Sequence, residues 1–170
     1  MRLILVRPGE SAGKPSHQQG PAQAEVITRE IGSVVSRTLP VEAIYTSTNA
    51  LAAETARIIS DGLGIASPIQ EDAFDVPIAD SGPDGIEGLQ SRAWSAVESL
   101  LERHPPDCTL ILVAQEMTIR LLVCRALSLP LSEMQRFRID PASLTTLDFR
   151  LQPQRRTILA GLNETCHLEK

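Results

Sequence analysis

Arg7, Glu10 and Ser11 follow directly on the apolar run RLILV (residues 2–6), an order in which a buried strand hands charged and hydroxyl side chains to its open end. An arginine there has two uses. Its fork of N–H donors can grip an anion, or it can pair with a carboxylate of the chain itself, Glu10 or Glu116. His17, in the loop that follows, is a nucleophile candidate set against the commoner fate of a solvated loop histidine. His104 precedes Pro105 at a helix end, where a cation complements the helix dipole, and His167 reads as a packing or capping residue. Ser11 and Ser47 have no histidine base in sequence reach, so a serine-nucleophile relay has little support. The three cysteines, Cys108, Cys124 and Cys166, form no C-x-x-C pair and no metal-ligand spacing. They predict reduced, mostly buried thiols, with no metal and no cofactor.

These residues need elements to position them. After the first strand, a Pro-, Gly-, Ser- and Gln-rich loop runs to Gly20, and Ile27, Ile31, Val34 and Val35 then recur at helical spacing behind Pro21. AIYTS (43–47) reads as a strand, and residues 49–63 as a helix closed by Gly64. Residues 65–84, with Pro68, Pro77 and Pro83, read as a long insertion carrying at most one short strand near Ile69. A third amphipathic helix spans 86–103. CTLILVA (108–114) is the strongest strand signal, an apolar run suited to the buried centre of a parallel sheet, and a helix follows over 118–127. FRI (137–139), SLTTLDF (143–149) and RTILAGL (from Arg156) read as late strands. Together they predict a three-layer α/β/α sandwich with a mostly parallel central sheet. A single domain over residues 1–170 is expected.

The 170 residues carry a net charge of −5, and no basic run exceeds Arg155-Arg156, which argues against nucleic acid as a partner. RLILV is too short for a signal peptide or a membrane span. A cytoplasmic protein is expected, with no membrane partner. A small anionic ligand and a protein partner are both left open, and the oligomeric state cannot be read.

Several separated motifs, in order, resemble the histidine phosphatase superfamily, whose members are phosphoglycerate-mutase-like. Strand one with Arg7-Pro8-Gly9-Glu10-Ser11 is similar to that family's strand and Arg-His-Gly-Glu-Ser/Thr motif. Gly20-x-x-Gln23-Ala24 matches its G-x-x-Q-A, and AIYTS with Thr55-Ala56 resembles its I-Y-S-S…T-A segment. LILVAQEMTIRLLVCRALSLPL (110–131) looks like its second signature strand and helix. Leu162-Asn163-Glu164-Thr165-Cys166-His167-Leu168 resembles the closing L-N-D-T-x-H-L of mutase relatives.

The family's nucleophilic histidine falls at Pro8, whose side chain has no lone pair with which to take up phosphate. The second histidine falls at Gln115, which can donate a hydrogen bond but carries no charge, and the glycine after it is Glu116. The family's second arginine falls at Leu51, leaving Arg7. For the family's general acid, Asp75 in AFDV is the first candidate and Glu87 the second. Each lost oxyanion-type donor removes about 3–4 kcal/mol of transition-state stabilisation. The sequence therefore reads first as a non-catalytic member, a pseudoenzyme acting as a binding or regulatory module, with Arg7, Glu10, Ser11, Gln115 and Glu116 as the ligand-binding set. Two alternatives remain. One is a phosphohydrolase acting on a small phosphorylated metabolite with an altered site built from Arg7, Asp75 or Glu87 and His17. The other is a structural or oligomerisation subunit.

Overall fold

In chain order the elements are β1 (Arg2–Val6), α1 (Gln19–Val35), β2 (Val41–Thr46), α2 (Ala50–Leu63), β3 (Ile69–Gln70), α3 (Gly85–Arg103), β4 (Thr109–Val113), α4 (Glu116–Ala126), β5 (Leu144–Arg150) and β6 (Arg156–Glu164). Short 3-10 turns occupy Asp72–Phe74, Leu131–Arg136 and Cys166–Glu169. The computed structural model describes residues 1–9, 19–35, 39–76, 85–150 and 156–169.

The strands form one six-stranded sheet in the order β3-β2-β4-β1-β5-β6. β1 runs parallel to β4 with Val6 opposite Val113, and β4 runs parallel to β2 with Val113 opposite Thr46. β5 is antiparallel to β1, and β6 to β5. The two strongest apolar runs of the sequence thus lie side by side at the centre, as their composition predicts. Alternation along each strand feeds two cores. Leu3, Leu5, Leu110 and Leu112 face a cluster built with α3 and α4; Ile4, Val6, Ile111 and Val113 face one built with α1 and α2. Helices on both faces of a mixed, mainly parallel sheet complete the three-layer sandwich.

Local chemistry places the helix ends. Asn49 caps α2, its side-chain oxygen accepting from the Leu51 and Ala52 N–H groups at 3.0 and 3.3 Å, and Gly64 ends it at φ +66°. α1 and α2 approach closely at Gly62, where a Cβ would lie 2.5 Å from Thr28 Cγ2. Pro21 sits in the first turn of α1, where its missing N–H removes no helical bond. One strand expectation fails. FRI (137–139) is not a strand: it is the irregular stretch between the 3-10 turn at Leu131–Arg136 and a turn at Pro141-Ala142. Ile139 is buried and Phe137 partly buried against the core built with α3 and α4, while Arg138 is exposed, so the run packs on that core without joining the sheet. Trp94, on α3, packs with its ring 6.2 Å from that of Phe149.

Among the described residues no helix is long and apolar enough to cross a membrane. The three cysteines are unpaired; Cys108 and Cys124 are buried, whereas Cys166 is exposed. Burial, the largest influence, pushes the thiols of Cys108 and Cys124 above their ordinary pKa. The native protein is therefore expected to show one fast-reacting thiol toward an aromatic disulfide reagent at pH 8 and two that react only on addition of denaturant. Three equally fast thiols in the native state would contradict this packing.

Candidate functional site

The parallel strands β1, β4 and β2 end together, so whatever follows them meets at one edge of the sheet. The Ala114 N–H donates to the Val6 carbonyl at 3.0 Å and the Ser47 N–H to the Val113 carbonyl at 3.1 Å, which brings Arg7-Pro8, Gln115-Glu116 and Ser47-Thr48 out of the sheet side by side. Ligands of open α/β sheets bind at this end. Arg7, Pro8 and Gln115 therefore follow the ends of two neighbouring strands. Leu51 lies in the first turn of α2, at the same end, and is half-buried. Glu10, Ser11 and His17 lie outside the described residues.

Arg7 is held from two sides. Its Nη1 donates to the Ile139 carbonyl and forms an ion pair with Glu116 Oε2 at 2.8 Å. The side chain is 26% exposed, so its guanidinium is reachable from solvent. Of the two sequence readings for its partner, Glu116 is realised. Glu116 stands in the first turn of α4, where a carboxylate complements the helix dipole. Its other oxygen, Oε1, pairs with Arg120 Nη2 at 2.6 Å, one turn along the same helix. Arg120 is only 16% exposed, donates through Nη1 to Gln135 Oε1 at 3.0 Å, and has a buried Nε without a partner among the described residues. Gln115 occupies the N-cap position of α4, and its side-chain oxygen makes no capping bond; its NH2 group can donate.

Pro8 is buried, and its carbonyl accepts the Ala142 N–H at 3.2 Å. Ala142 adopts φ +60°, a conformation unfavourable for a residue with a Cβ, and it is fixed by His167, whose Nε2–H donates to the Ala142 carbonyl at 2.9 Å. Asn163 adds a second brace, accepting from the Asp140 N–H at 2.5 Å and donating to Asp140 Oδ2 at 2.9 Å. The ion pair with Arg138 first, then Asn163, holds the Asp140 carboxyl below its ordinary pKa. The closing segment thus works from behind the site: it fixes the turn that carries the Ile139 carbonyl and, with it, Arg7.

Asp75 approaches from the β2 side. Its Oδ1 accepts the Thr48 N–H at 2.8 Å and its Oδ2 the Thr48 hydroxyl at 2.6 Å. Its carbonyl accepts Arg92 Nη2 at 2.6 Å. The residue before it, Phe74, is fully buried, and the Phe74 carbonyl accepts the Thr118 hydroxyl at 2.9 Å. The Asp75 carboxylate is thereby tied to the residue after the Ser47 that follows β2, and the backbone on either side of it to α3 and α4. Glu87, the second candidate, is exposed in the first turn of α3 with no comparable anchoring. Ser47 is buried with no partner for its hydroxyl among the described residues. His104, just beyond the C-terminal end of α3, bonds the Tyr45 hydroxyl at 2.8 Å. No group of three or more His, Cys, Asp or Glu side chains among the described residues is arranged to hold a metal ion.

Two contributors escaped the sequence reading. Arg120 is embedded in the aliphatic pattern of α4, although its i,i+4 spacing from Glu116 is a readable signal for an ion pair. Thr48 is adjacent to a strand end but marked by nothing in its type.

A family model described as "Histidine phosphatase superfamily (branch 1)" matches residues 74–160, from the turn preceding Asp75 into β6. No curated protein matches the chain. Among solved structures, Bacillus stearothermophilus YhfR is 20% identical with a TM-score of 0.79, over 98% of both chains. A phosphoserine phosphatase mutant from Entamoeba histolytica in complex with phosphoserine is 18% identical with a TM-score of 0.80, again over 98% of both chains. Mycobacterial glucosyl-3-phosphoglycerate phosphatase in complex with VO3 is 17% identical with a TM-score of 0.80, over 96% of this chain and 99% of that one. These findings overturn the first expectation from sequence, a non-catalytic binding or regulatory module. The fold is shared end to end with phosphatases, and the physical ground for that expectation was a tally of missing groups. It took no account of Asp75 pinned at the strand ends or of Arg7 held there already bearing an anion.

Proposed function

The chain belongs to the histidine phosphatase superfamily (branch 1), and from that premise we propose that it is a phosphohydrolase acting on a small phosphorylated metabolite through an altered site at the ends of β1, β4 and β2. One observation carries the reading: the Arg7 guanidinium, at the end of the central strand and open to solvent, holds a carboxylate at 2.8 Å. A position that holds one oxyanion suits another, and arginine is the side chain best matched to phosphate. Phosphatases that share the fold, one of them in complex with phosphoserine, support the choice of a small phosphomonoester.

The alteration lies in the route. Pro8 stands where the family's motif has its nucleophilic histidine, and Gln115 where it has the second. The phosphoryl group therefore passes directly to water. Water attacks phosphorus, the bond to the ester oxygen breaks, the leaving oxygen takes a proton, and inorganic phosphate and an alcohol result. Phosphoryl transfer depends chiefly on positioning and charge stabilisation. Arg7 binds the equatorial oxygens, the Gln115 amide donates to one of them, and Asp75, oriented by Thr48, relays a proton from solvent to the leaving oxygen, while the protons of the attacking water stay with the inorganic phosphate or pass to solvent. With fewer cationic donors than the family's motif supplies, turnover is slow, each missing donor lowering it by about 100- to 1000-fold.

The test is release of inorganic phosphate from a panel of small esters: an aryl phosphate, phosphorylated hydroxy and amino acids, and sugar phosphates. Slow but sustained turnover of at least one, in molar excess over protein, is expected. A panel on which no ester is turned over would refute the reading.

A further inference from the structure

Glu116 bonds two arginines through different oxygens, Oε2 to Arg7 at 2.8 Å and Oε1 to Arg120 at 2.6 Å. Because the links are separate, one can break while the other stays. Arg7 has a second anchor, the Ile139 carbonyl, that keeps its guanidinium in place when a carboxylate departs. Arg120 is held by Gln135 and is the least exposed of the three charged side chains, at 16% against 26% for Arg7 and 32% for Glu116. It is therefore the fixed post of the group, and Glu116, the most exposed, is the part free to swing. The i,i+4 spacing on α4 keeps Glu116 and Arg120 on one helix face in either position.

We propose that Glu116 is an intramolecular anion gate: its carboxylate occupies Arg7 in the resting protein, and an incoming phosphoryl group takes Arg7 while Glu116 remains tethered to Arg120. Arg120 is a positioning residue that makes this exchange possible, drawing the displaced carboxylate away from the ligand and neutralising it. The proposal rests on the phosphohydrolase reading for its ligand, and it narrows the substrate class. A resident monoanion is displaced by a dianion, which gains more from Arg7, and far less readily by another monoanion. The site therefore selects phosphomonoesters over phosphodiesters and over carboxylates.

The gate is tested by titrating inorganic phosphate calorimetrically into the wild-type protein, Glu116→Gln, Arg120→Gln and the double variant, with thermal unfolding recorded for each. Glu116→Gln removes the competing charge and should bind phosphate about tenfold more tightly, the scale set by a partly exposed ion pair plus relief of repulsion against a dianion. Arg120→Gln should weaken binding severalfold, because Glu116 then keeps Arg7 as its one cationic partner among the described residues. In the double variant the Arg120 effect should vanish, since no carboxylate is left to be positioned. Glu116→Ser serves in place of Glu116→Gln should the latter not fold. Phosphate affinity that does not rise without Glu116, or an Arg120 effect of the same size in the Glu116→Gln background, overturns the gate. Hydrolysis of an aryl phosphate by the same proteins separates the two claims. Tighter phosphate binding by Glu116→Gln with no hydrolysis by any variant sustains the gate and sinks the phosphohydrolase reading. Hydrolysis with an affinity indifferent to residue 116 does the reverse.

Discussion

Arg7→Leu is expected to lower kcat/KM for phosphomonoester hydrolysis at least about a hundredfold, while leaving the fold in place. The loss follows from what the guanidinium does in the proposed transition state: it meets charge spread over the equatorial oxygens with two aligned donors, and removing one such preorganised donor group costs a factor of about 100 to 1000. The stability effect is small for a separate reason. The Arg7–Glu116 pair is partly exposed on both sides, 26% and 32%, so solvent screening holds its net worth to about 1 kcal/mol or less, and Glu116 keeps Arg120. Leucine also retains apolar contact at the strand end. Arg7→Lys should fall between, since an ammonium keeps the charge but not the fork. The comparison is made by steady-state kinetics alongside thermal unfolding. An Arg7→Leu protein that keeps full activity would remove the proposed phosphate-binding role.

Phe74→Ala is expected to destabilise the protein by about 3–5 kcal/mol, the range for emptying a buried aromatic site. Phe74 is fully buried and belongs to the core shared with α3 and α4, although it comes from a three-residue 3-10 turn rather than from a long element. So short a turn has little stability of its own and depends on that single side chain, together with the Thr118 hydroxyl bonded to the Phe74 carbonyl. The next residue is Asp75. Loosening the turn therefore also frees the carboxylate from Thr48, and activity should fall further than the unfolded fraction accounts for. Urea unfolding followed by circular dichroism gives the stability change. A shift below 1 kcal/mol would mean that the turn is not anchored through its phenyl ring.

Much of this was legible in the residues. RLILV and CTLILVA read as buried strands because parallel strands covered on both faces are continuously apolar, and the structure pairs them in register. The four helices declared themselves by periodicity and by ends such as Asn49 and Gly64. FRI was misread because a three-residue apolar run carries no period. Its Ile139 and Phe137 side chains pack on the core outside the sheet, and the Ile139 carbonyl anchors Arg7. The antiparallel direction of β5 and β6 was not legible, since alternation marks a strand and not its orientation. At the site, Arg7 stood out from its place after strand one and Asp75 only from the resemblance, as a candidate for the family's general acid. Arg120 was passed over because an aliphatic helix pattern invites attention to its apolar face and not to a charge one turn from Glu116. The functional misreading had a similar origin: counting absent groups weighs losses and is blind to how the remaining ones are held.

The measurement that bears most directly on the account is a single-turnover rapid quench with protein in excess over a radiolabelled phosphomonoester from the panel, following substrate, protein-bound phosphate and inorganic phosphate together. The account predicts that substrate converts to inorganic phosphate in one phase with no phosphate bound covalently to the protein at any time, because residue 8 is proline and water is the direct acceptor. Phosphate that builds up on the protein and then decays would place a nucleophile elsewhere in the chain and contradict the proposed route; substrate that persists unchanged would contradict the phosphohydrolase assignment itself.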